Sequence, residues 1–412
     1  MKINFDPVVV SRIKRAWGKL GAAQKQMILP MLRKAHQQAV MVSQSKVIPQ
    51  PDSTVNQNLL LTYSALNDDR DGVLNRLDAG VVVGVGPEGQ IWGTGKYEQL
   101  DPGWAEAGAL WLEHVFTGKH PFPNNPPVIP IDDFVQIALV GDWGTGDWRS
   151  PANPAPSTDV ARHVTFLEPD ITVHLGDVYY AGTNDQEQSL LVDLWPAGPK
   201  GSFTLNSNHE MYSGGSPYFD VALANPKFAL QHGSSFFALE NQNWIIVGLD
   251  SAYYSSEAGM YMDGSLGDDG IQVGFLEEQV KKGKRVIVLT HHNGHSDDGS
   301  ATNTLWNQVT SAFPANAGPA LWYWGHVHAG VVYQPHDPQG RNVACRCCGH
   351  GALPWGQAPV FNNPSNVLWY EKRPANDSDI PQRVLNGFAV LYLDGPNIDE
   401  VFYDENGGVA WP

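Results

Sequence analysis

Cysteine is almost absent from this sequence: three residues in 412, all between positions 345 and 348. A disulfide framework is excluded and reduced thiols are expected, with a vicinal Cys347–Cys348 bridge or a soft metal site as the bolder alternatives. Positive charge is scarce as well. Lys and Arg number 26 against 43 Asp and Glu, a net charge of −17, which argues against a long nucleic acid as partner. No apolar run approaches the roughly 18 residues that a bilayer-spanning helix needs. The first seven residues lack the apolar core of an export signal and residues 11–18 lack a twin-arginine signal, so a cytoplasmic location is expected. What is present is a 42% hydrophobic share with 42 Gly and 30 Pro, the composition of a folded, loop-rich chain rather than a disordered, collagenous or coiled-coil one. The length exceeds one domain of about 150 residues.

Two regions are expected. Residues 1–50 carry nine Lys and Arg against Asp6 alone. Asp6-Pro7 reads as a cap followed by Pro in a first helical turn, and Ile13, Trp17 and Leu20 recur at helical spacing. A second helix over 23–44 carries Ile28, Leu32, Ala35, Ala39 and Val42 on one stripe, with Pro30 as a kink. This basic helical hairpin is expected to pack on the body with its charges in water, and residues 7–46 could contact an anionic membrane or an acidic partner. Asn67, Asp69, Asp71, Gly72 and Asp78 fall at the oxygen-ligand and glycine positions of a calcium loop, but no helix follows them, so a polar turn is the plainer reading. Gly84, Gly86 and Gly89 match a dinucleotide fingerprint only formally, since they sit in a β-hairpin over 79–97. The Pro-rich stretch 118–130 marks a boundary. Residues 1–130 are therefore read as a mostly helical accessory region with a β-hairpin, and 131–412 as the main domain.

From residue 131 short apolar strands recur at 134–140, 171–175, 244–249, 286–289 and 320–324, with a helix over 271–282 and further strands near 367–370, 389–393 and 400–403. The expected class is α/β. Five segments that follow these strands are rich in Asp, Asn and His: Gly141-Asp142-Trp143-Gly144, Gly176-Asp177 to Tyr180, Ser207-Asn208-His209-Glu210, Thr290-His291-His292, and Gly325-His326-Val327-His328. Ligands of open α/β sheets bind beyond the carboxyl ends of strands, so these segments can converge. Carboxylates and a carboxamide mixed with imidazoles suit first-row divalent ions or ferric iron, in numbers sufficient for two ions.

The five segments, in this order and spacing, resemble the calcineurin-like metallophosphoesterases, and most of all their purple acid phosphatase branch. In the wider superfamily a His stands two residues after the first Asp; here Gly144 stands there, and Tyr180 fills the G-D-x-x-Y position that supplies a Tyr ligand in the branch. The resemblance implies a layered β-sandwich flanked by helices, with two metal ions: Fe together with Zn, Mn or a second Fe. It implies Asp142, Asp177, Tyr180 and His328 on one ion and Asp177, Asn208, His291 and His326 on the other, with Asp177 shared. His209 would donate a proton to the leaving group, with His292 and His295 as substrate-contacting or supporting groups and Glu210 as orienter of His209 or helix cap. Ser207 stands where the family usually has Gly. The implied activity is hydrolysis of phosphomonoesters by attack of hydroxide on phosphorus. Phosphodiesters, including cyclic nucleotides and lipid headgroup esters, are the alternative, and a non-catalytic metal-binding scaffold the remote one. No serine-hydrolase elbow is present, and Ser213 occupies the last position of a would-be H-E-x-x-H helix. His350, between Gly349 and Gly351, could line a pocket or shape a turn.

Overall fold

The computed structural model describes residues 4–50, 55–67, 81–335 and 341–412. Of the oxygen-rich stretch 67–78, all but Asn67 lies outside the described residues. The N-terminal helices obey their local signals. Asp6 accepts a hydrogen bond from the Val8 amide at 2.8 Å and Pro7 opens the helix Pro7–Lys19. The helix Ala22–Ser45 runs through Pro30 and buries Ile28, Leu32, Ala35, Ala39 and Val42, the stripe that the sequence predicts. The turn at Gly89, φ +96°, joins the hairpin strands Val82–Val85 and Ile91–Gly93. The helix Trp104–His114, buried along most of its length, follows.

Two sheets form the body. The larger has eight strands in the order Val367–Tyr370, Gly330–Tyr333, Ala344–Cys348, Leu321–Trp324, Arg285–Leu289, Trp244–Gly248, Phe237–Glu240 and Val128–Pro130. The smaller has six: Val409–Trp411, Asn397–Asp404, Gly387–Asp394, Phe134–Val140, Ile171–His174 and Gly201–Thr204. The strands Ala344–Cys348 to Trp244–Gly248 in the middle of the larger sheet and Phe134–Val140, Ile171–His174 and Gly201–Thr204 at one side of the smaller are parallel, as connections through helices require. Ile137, Leu139 and Val173 of the smaller sheet meet Ile246, Ile287 and Tyr323 of the larger in one core between them. The helices Ile271–Val280 and Thr304–Ser311 cover the outside of the larger sheet through Leu276 and Trp306, and Pro156–Leu167 covers the smaller through Val160 and Val164. The expected α/β sandwich flanked by helices is thus present.

The cysteines are explained by this layering. All three are buried in the strand Ala344–Cys348 and none is in a disulfide. Cys347 packs on the outer face and Cys348 in the core between the sheets, because successive strand residues point oppositely, so neither the vicinal bridge nor a shared soft-metal site is formed. The N-terminal helices join a continuous core with Tyr179, Tyr180, Met211, Tyr212 and Trp355. The accessory region therefore packs against the end of the sandwich at which the parallel strands terminate.

Candidate metal centre

Asp142 follows Phe134–Val140, Asp177 follows Ile171–His174, Asn208 follows Gly201–Thr204, His291 follows Arg285–Leu289, and His326 and His328 follow Leu321–Trp324. The parallel strands all deliver their carboxyl ends to one edge, so residues nearly 190 positions apart meet there. Asp142, Asp177 and His326 adopt positive φ of 55°, 79° and 63°. Left-handed backbone at a non-glycine residue is strained and clusters at functional sites. Gly325 is required: a Cβ there would lie 2.6 Å from Asp142 Oδ2.

The carboxylates lie side by side. Tyr179 Oη donates to Asp177 Oδ2 at 2.8 Å and stands 3.5 Å from Asp142 Oδ1. His328 Nε2 is 3.3 Å from Asp142 Oδ1 and 3.9 Å from Asp177 Oδ2. His291 Nε2 is 3.3 Å from Asp177 Oδ1. Both aspartates are almost inaccessible, 0% and 1% exposed, and among the described residues their ion-pair partners are histidines alone. Burial and the adjacent Asp177 push the Asp142 carboxyl well above its usual range. Burial would raise Asp177 too, but the imidazoles of His209 and His291 hold it well below. Against the effect of burial, hydrogen bonds to both aspartates raise His328 to about 9. Two buried carboxylates without a Lys or Arg draw in a proton in place of a stronger cation.

The second cluster tests the fit of a cation more sharply. His291 Nδ1 donates to the Leu175 carbonyl at 2.9 Å, which leaves Nε2 as a lone pair. That lone pair faces Asn208 Oδ1 at 2.9 Å and His326 Nδ1 at 3.2 Å, and Asn208 Oδ1 is 3.1 Å from the same His326 nitrogen. The Asn208 amide nitrogen is directed away, to Tyr212 Oη at 2.8 Å. A carboxamide oxygen and an imidazole lone pair this close repel each other unless a positive centre lies between them. The donor set suits a borderline divalent ion, and Asp177 Oδ1 borders it. Asp142, Asp177 and His291 offer ligand atoms within 4.8 Å of one another, as do His291, His292 and His326.

The family model for calcineurin-like phosphoesterases matches residues 135–330. Those residues belong to that family. The same fold is seen in a purple acid phosphatase from seeds of yellow lupin (Lupinus luteus), with 14% identity and a TM-score of 0.50 over 70% of this chain; the match spans 54% of the lupin chain. The anchor protein of the inner membrane complex of Plasmodium aligns at 16% identity and TM-score 0.45, over 68% of this chain and 87% of its own. A dimetal phosphatase from Danio rerio aligns at 15% and 0.41, over 66% and 95%. No curated protein matches the chain significantly.

Within the phosphoesterase domain the tyrosine differs from expectation. Tyr179, not Tyr180, presents its phenol to Asp142, Asp177 and His328. Tyr180 turns outward: its hydroxyl donates to Asp101 Oδ2 at 2.5 Å, and its ring packs on Tyr97 and Trp104. The reason is the accessory region, which supplies both the carboxylate and the aromatic slot that take Tyr180. His209 stands at the centre as expected. Its Nδ1 donates to the Tyr180 carbonyl at 2.7 Å, and Nε2 points at Asp177 Oδ2, 3.9 Å away. Glu210 does not orient it; Glu210 meets Ser207 Oγ, which also lies 2.5 Å from Asp177 Oδ1.

His292 and His295 are held by partners outside the two donor sets. His292 borders His326, with ring centroids 4.5 Å apart, but both of its nitrogens are engaged, Nδ1 by Ser251 Oγ at 2.9 Å and Nε2 by the Tyr261 carbonyl at 2.7 Å. His295 packs among Trp306, Trp324 and Tyr333 with Nδ1 on the Ser296 carbonyl at 2.8 Å. Of the adjacent pair, His291 faces Asp177 and Asn208, while His292 reaches the cluster only beside His326. Several contributors were missed in the sequence: Tyr179, Tyr212, Asn56, Asn58, Tyr97 and Trp355, whose ring lies edge-on to His328 with centroids 4.5 Å apart. Tyr212 alone had a signal, four residues after Asn208 on one short helix.

His350 serves the fold. It is 3% exposed and, among the described residues, neither ring nitrogen has a partner. Burial lowers its pKa to about 3, so the unfolded chain takes up its proton first, near pH 6.5. The stability this residue contributes is complete above pH 6.5 and is lost as pH falls toward 3. At pH 4.5 the cost is about 2–3 kcal/mol. Urea midpoints at pH 7 and 4.5 are expected to fall less in His350→Met than in the wild type; equal falls would place the acid sensitivity elsewhere.

Proposed function

We propose that this chain is a dinuclear-metal phosphoric ester hydrolase acting on phosphomonoesters. The observation that carries the reading is Asp177, whose two oxygens face two separate donor sets: Oδ2 with Asp142, Tyr179 and His328, and Oδ1 with His291, beside Asn208 and His326. The first set, with a phenol and two carboxylates, suits iron; the second suits Zn²⁺, Mn²⁺ or Fe²⁺. When bound, the pair supplies Lewis acidity toward phosphoryl oxygens and a water acidic enough to attack phosphorus. The chain's own work is positional. Asp177 keeps the two sets in register, Leu175 fixes the His291 tautomer, and the Tyr180 carbonyl holds the His209 ring so that Nε2 of its imidazolium form can deliver a proton to the departing alkoxide.

Access favours a small ester. All the proposed ligands but His326 are buried, and Trp104 and Trp355 crowd His209 and His328. Chromogenic mono- and diesters with the same leaving group should therefore differ, with kcat/KM at least about tenfold higher for the monoester. A reversed ratio would assign the chain to phosphodiesters. The iron-loaded protein should absorb in the visible through its phenolate, and this band is expected to vanish in Tyr179→Phe and persist in Tyr180→Phe; the opposite result would reverse their assignment.

A cytoplasmic setting belongs to this proposal, supported by the buried cysteines, none of which is in a disulfide. Among the described residues no helix is long and apolar enough to cross a membrane. Contact of residues 7–46 with an anionic membrane or acidic partner remains part of the reading: Arg12 is taken by Glu113 at 2.6 Å, but Arg15, Lys19, Arg33 and Lys46 are exposed.

A further inference from the structure

We propose that Asn56 and Asn58, which lie outside the phosphoesterase domain, are positioning residues for the metal-ligating carboxamide of Asn208 and act through the phenol of Tyr212. This rests on the two-ion reading above. Asn208 Oδ1 faces the His291 Nε2 lone pair at 2.9 Å and His326 Nδ1 at 3.1 Å, so its hold on a cation depends on how the side chain is anchored from its other end. That end is Nδ2, which donates to Tyr212 Oη at 2.8 Å. The same phenol oxygen receives Asn58 Nδ2 at 2.9 Å and Asn56 Nδ2 at 3.3 Å, while its own proton is directed to Met262 Sδ at 3.8 Å. Asn56 is fixed in turn, because its Oδ1 caps the turn Gln57–Leu59 by accepting from the Asn58 amide at 2.8 Å. Gln57 is tied to Gln99 at 2.7 Å.

All four residues are buried: Asn56 is 8% exposed, Asn58 1%, Tyr212 0% and Asn208 2%. Three amide groups converging on one phenol oxygen, which has two lone pairs, leave it little freedom to move. Groups that orient a metal ligand typically change affinity by about 10- to 100-fold when removed. The accessory region is thereby part of the metal centre, and the phosphoesterase domain without it has an unanchored ligand.

The test is titration of the metal-free full-length chain with Zn²⁺ and with Mn²⁺ by calorimetry, with thermal midpoints of the metal-free proteins measured alongside. In Asn58→Leu one of the two binding steps is expected to weaken about 10- to 100-fold and the other to change less than about threefold. Tyr212→Phe, which deletes the shared oxygen without a cavity, should weaken the same step at least as much. The double variant should be no worse than Tyr212→Phe alone, since the asparagines act through that oxygen. If Asn58→Leu does not fold, Asn56→Ala takes its place, and the same step should weaken. Both steps unchanged in Tyr212→Phe, or both weakened equally in step with a lower thermal midpoint, would overturn the proposal. A wild-type chain that takes up fewer than two ions would overturn the two-ion reading itself, and this inference with it.

Discussion

Asp177→Asn is expected to abolish binding of the ion pair and to lower kcat/KM for a phosphomonoester by at least about 10³-fold, or about 4 kcal/mol of transition-state stabilisation. Among the described residues Asp177 is the side chain whose two oxygens each meet a different donor set. Its Oδ1 lies 3.3 Å from His291 Nε2 and its Oδ2 2.8 Å from Tyr179 Oη. A carboxamide has nearly the same shape, so packing should survive while the negative charge shared by the ions is lost. Elemental analysis of the purified variant separates this from misfolding: fewer than two ions per chain with a wild-type far-ultraviolet dichroism spectrum is the expected result. Asp142→Asn, whose nearest ion-pair partner is His328, should weaken the ion on that side more than the other. Two ions retained in Asp177→Asn, with activity near wild type, would show that the bridge is not there.

His209→Ala should show the opposite pattern, full metal content with kcat lowered about 10²- to 10⁴-fold. His209 bonds the Tyr180 carbonyl through Nδ1, so Nε2 donates a proton only from the imidazolium form, which Asp177 Oδ2 at 3.9 Å favours. The loss should depend on the leaving group. An alkyl phosphate, whose departing alkoxide needs the proton, should suffer most, and a nitrophenyl phosphate, which leaves as a stable phenolate, should suffer least. An equal loss on both substrates, or loss of an ion, would move His209 from proton donor to metal support.

The convergence of the six strand-end donors from Asp142 to His328 was legible because the period of the fold carried them: short apolar strand, then a polar cluster, repeated along the chain. Parallel strands place such clusters at one edge whatever lies between them. Side-chain direction within a cluster was not legible. His291 and His292 differ only in which side of the strand end they leave from, and Tyr179 and Tyr180 only in which one the accessory region engages, through Asp101, Tyr97 and Trp104. Those are contacts across about 80 positions, invisible to a local reading. The short strands Phe237–Glu240, Gly330–Tyr333 and Ala344–Cys348 also escaped it, the last because a cysteine-rich run gives no hydrophobic alternation. Asn56 and Asn58 read as ordinary turn residues, since a cap and a remote clamp use the same side chain.

Anomalous diffraction from crystals of the full-length protein soaked with Mn²⁺ and Zn²⁺ addresses the metal centre most directly. Two peaks about 3.5–4 Å apart, both in contact with Asp177 and divided between the Asp142 and Asn208 sides, are the expected result. A single peak, or none among these donors at saturating metal, would contradict it.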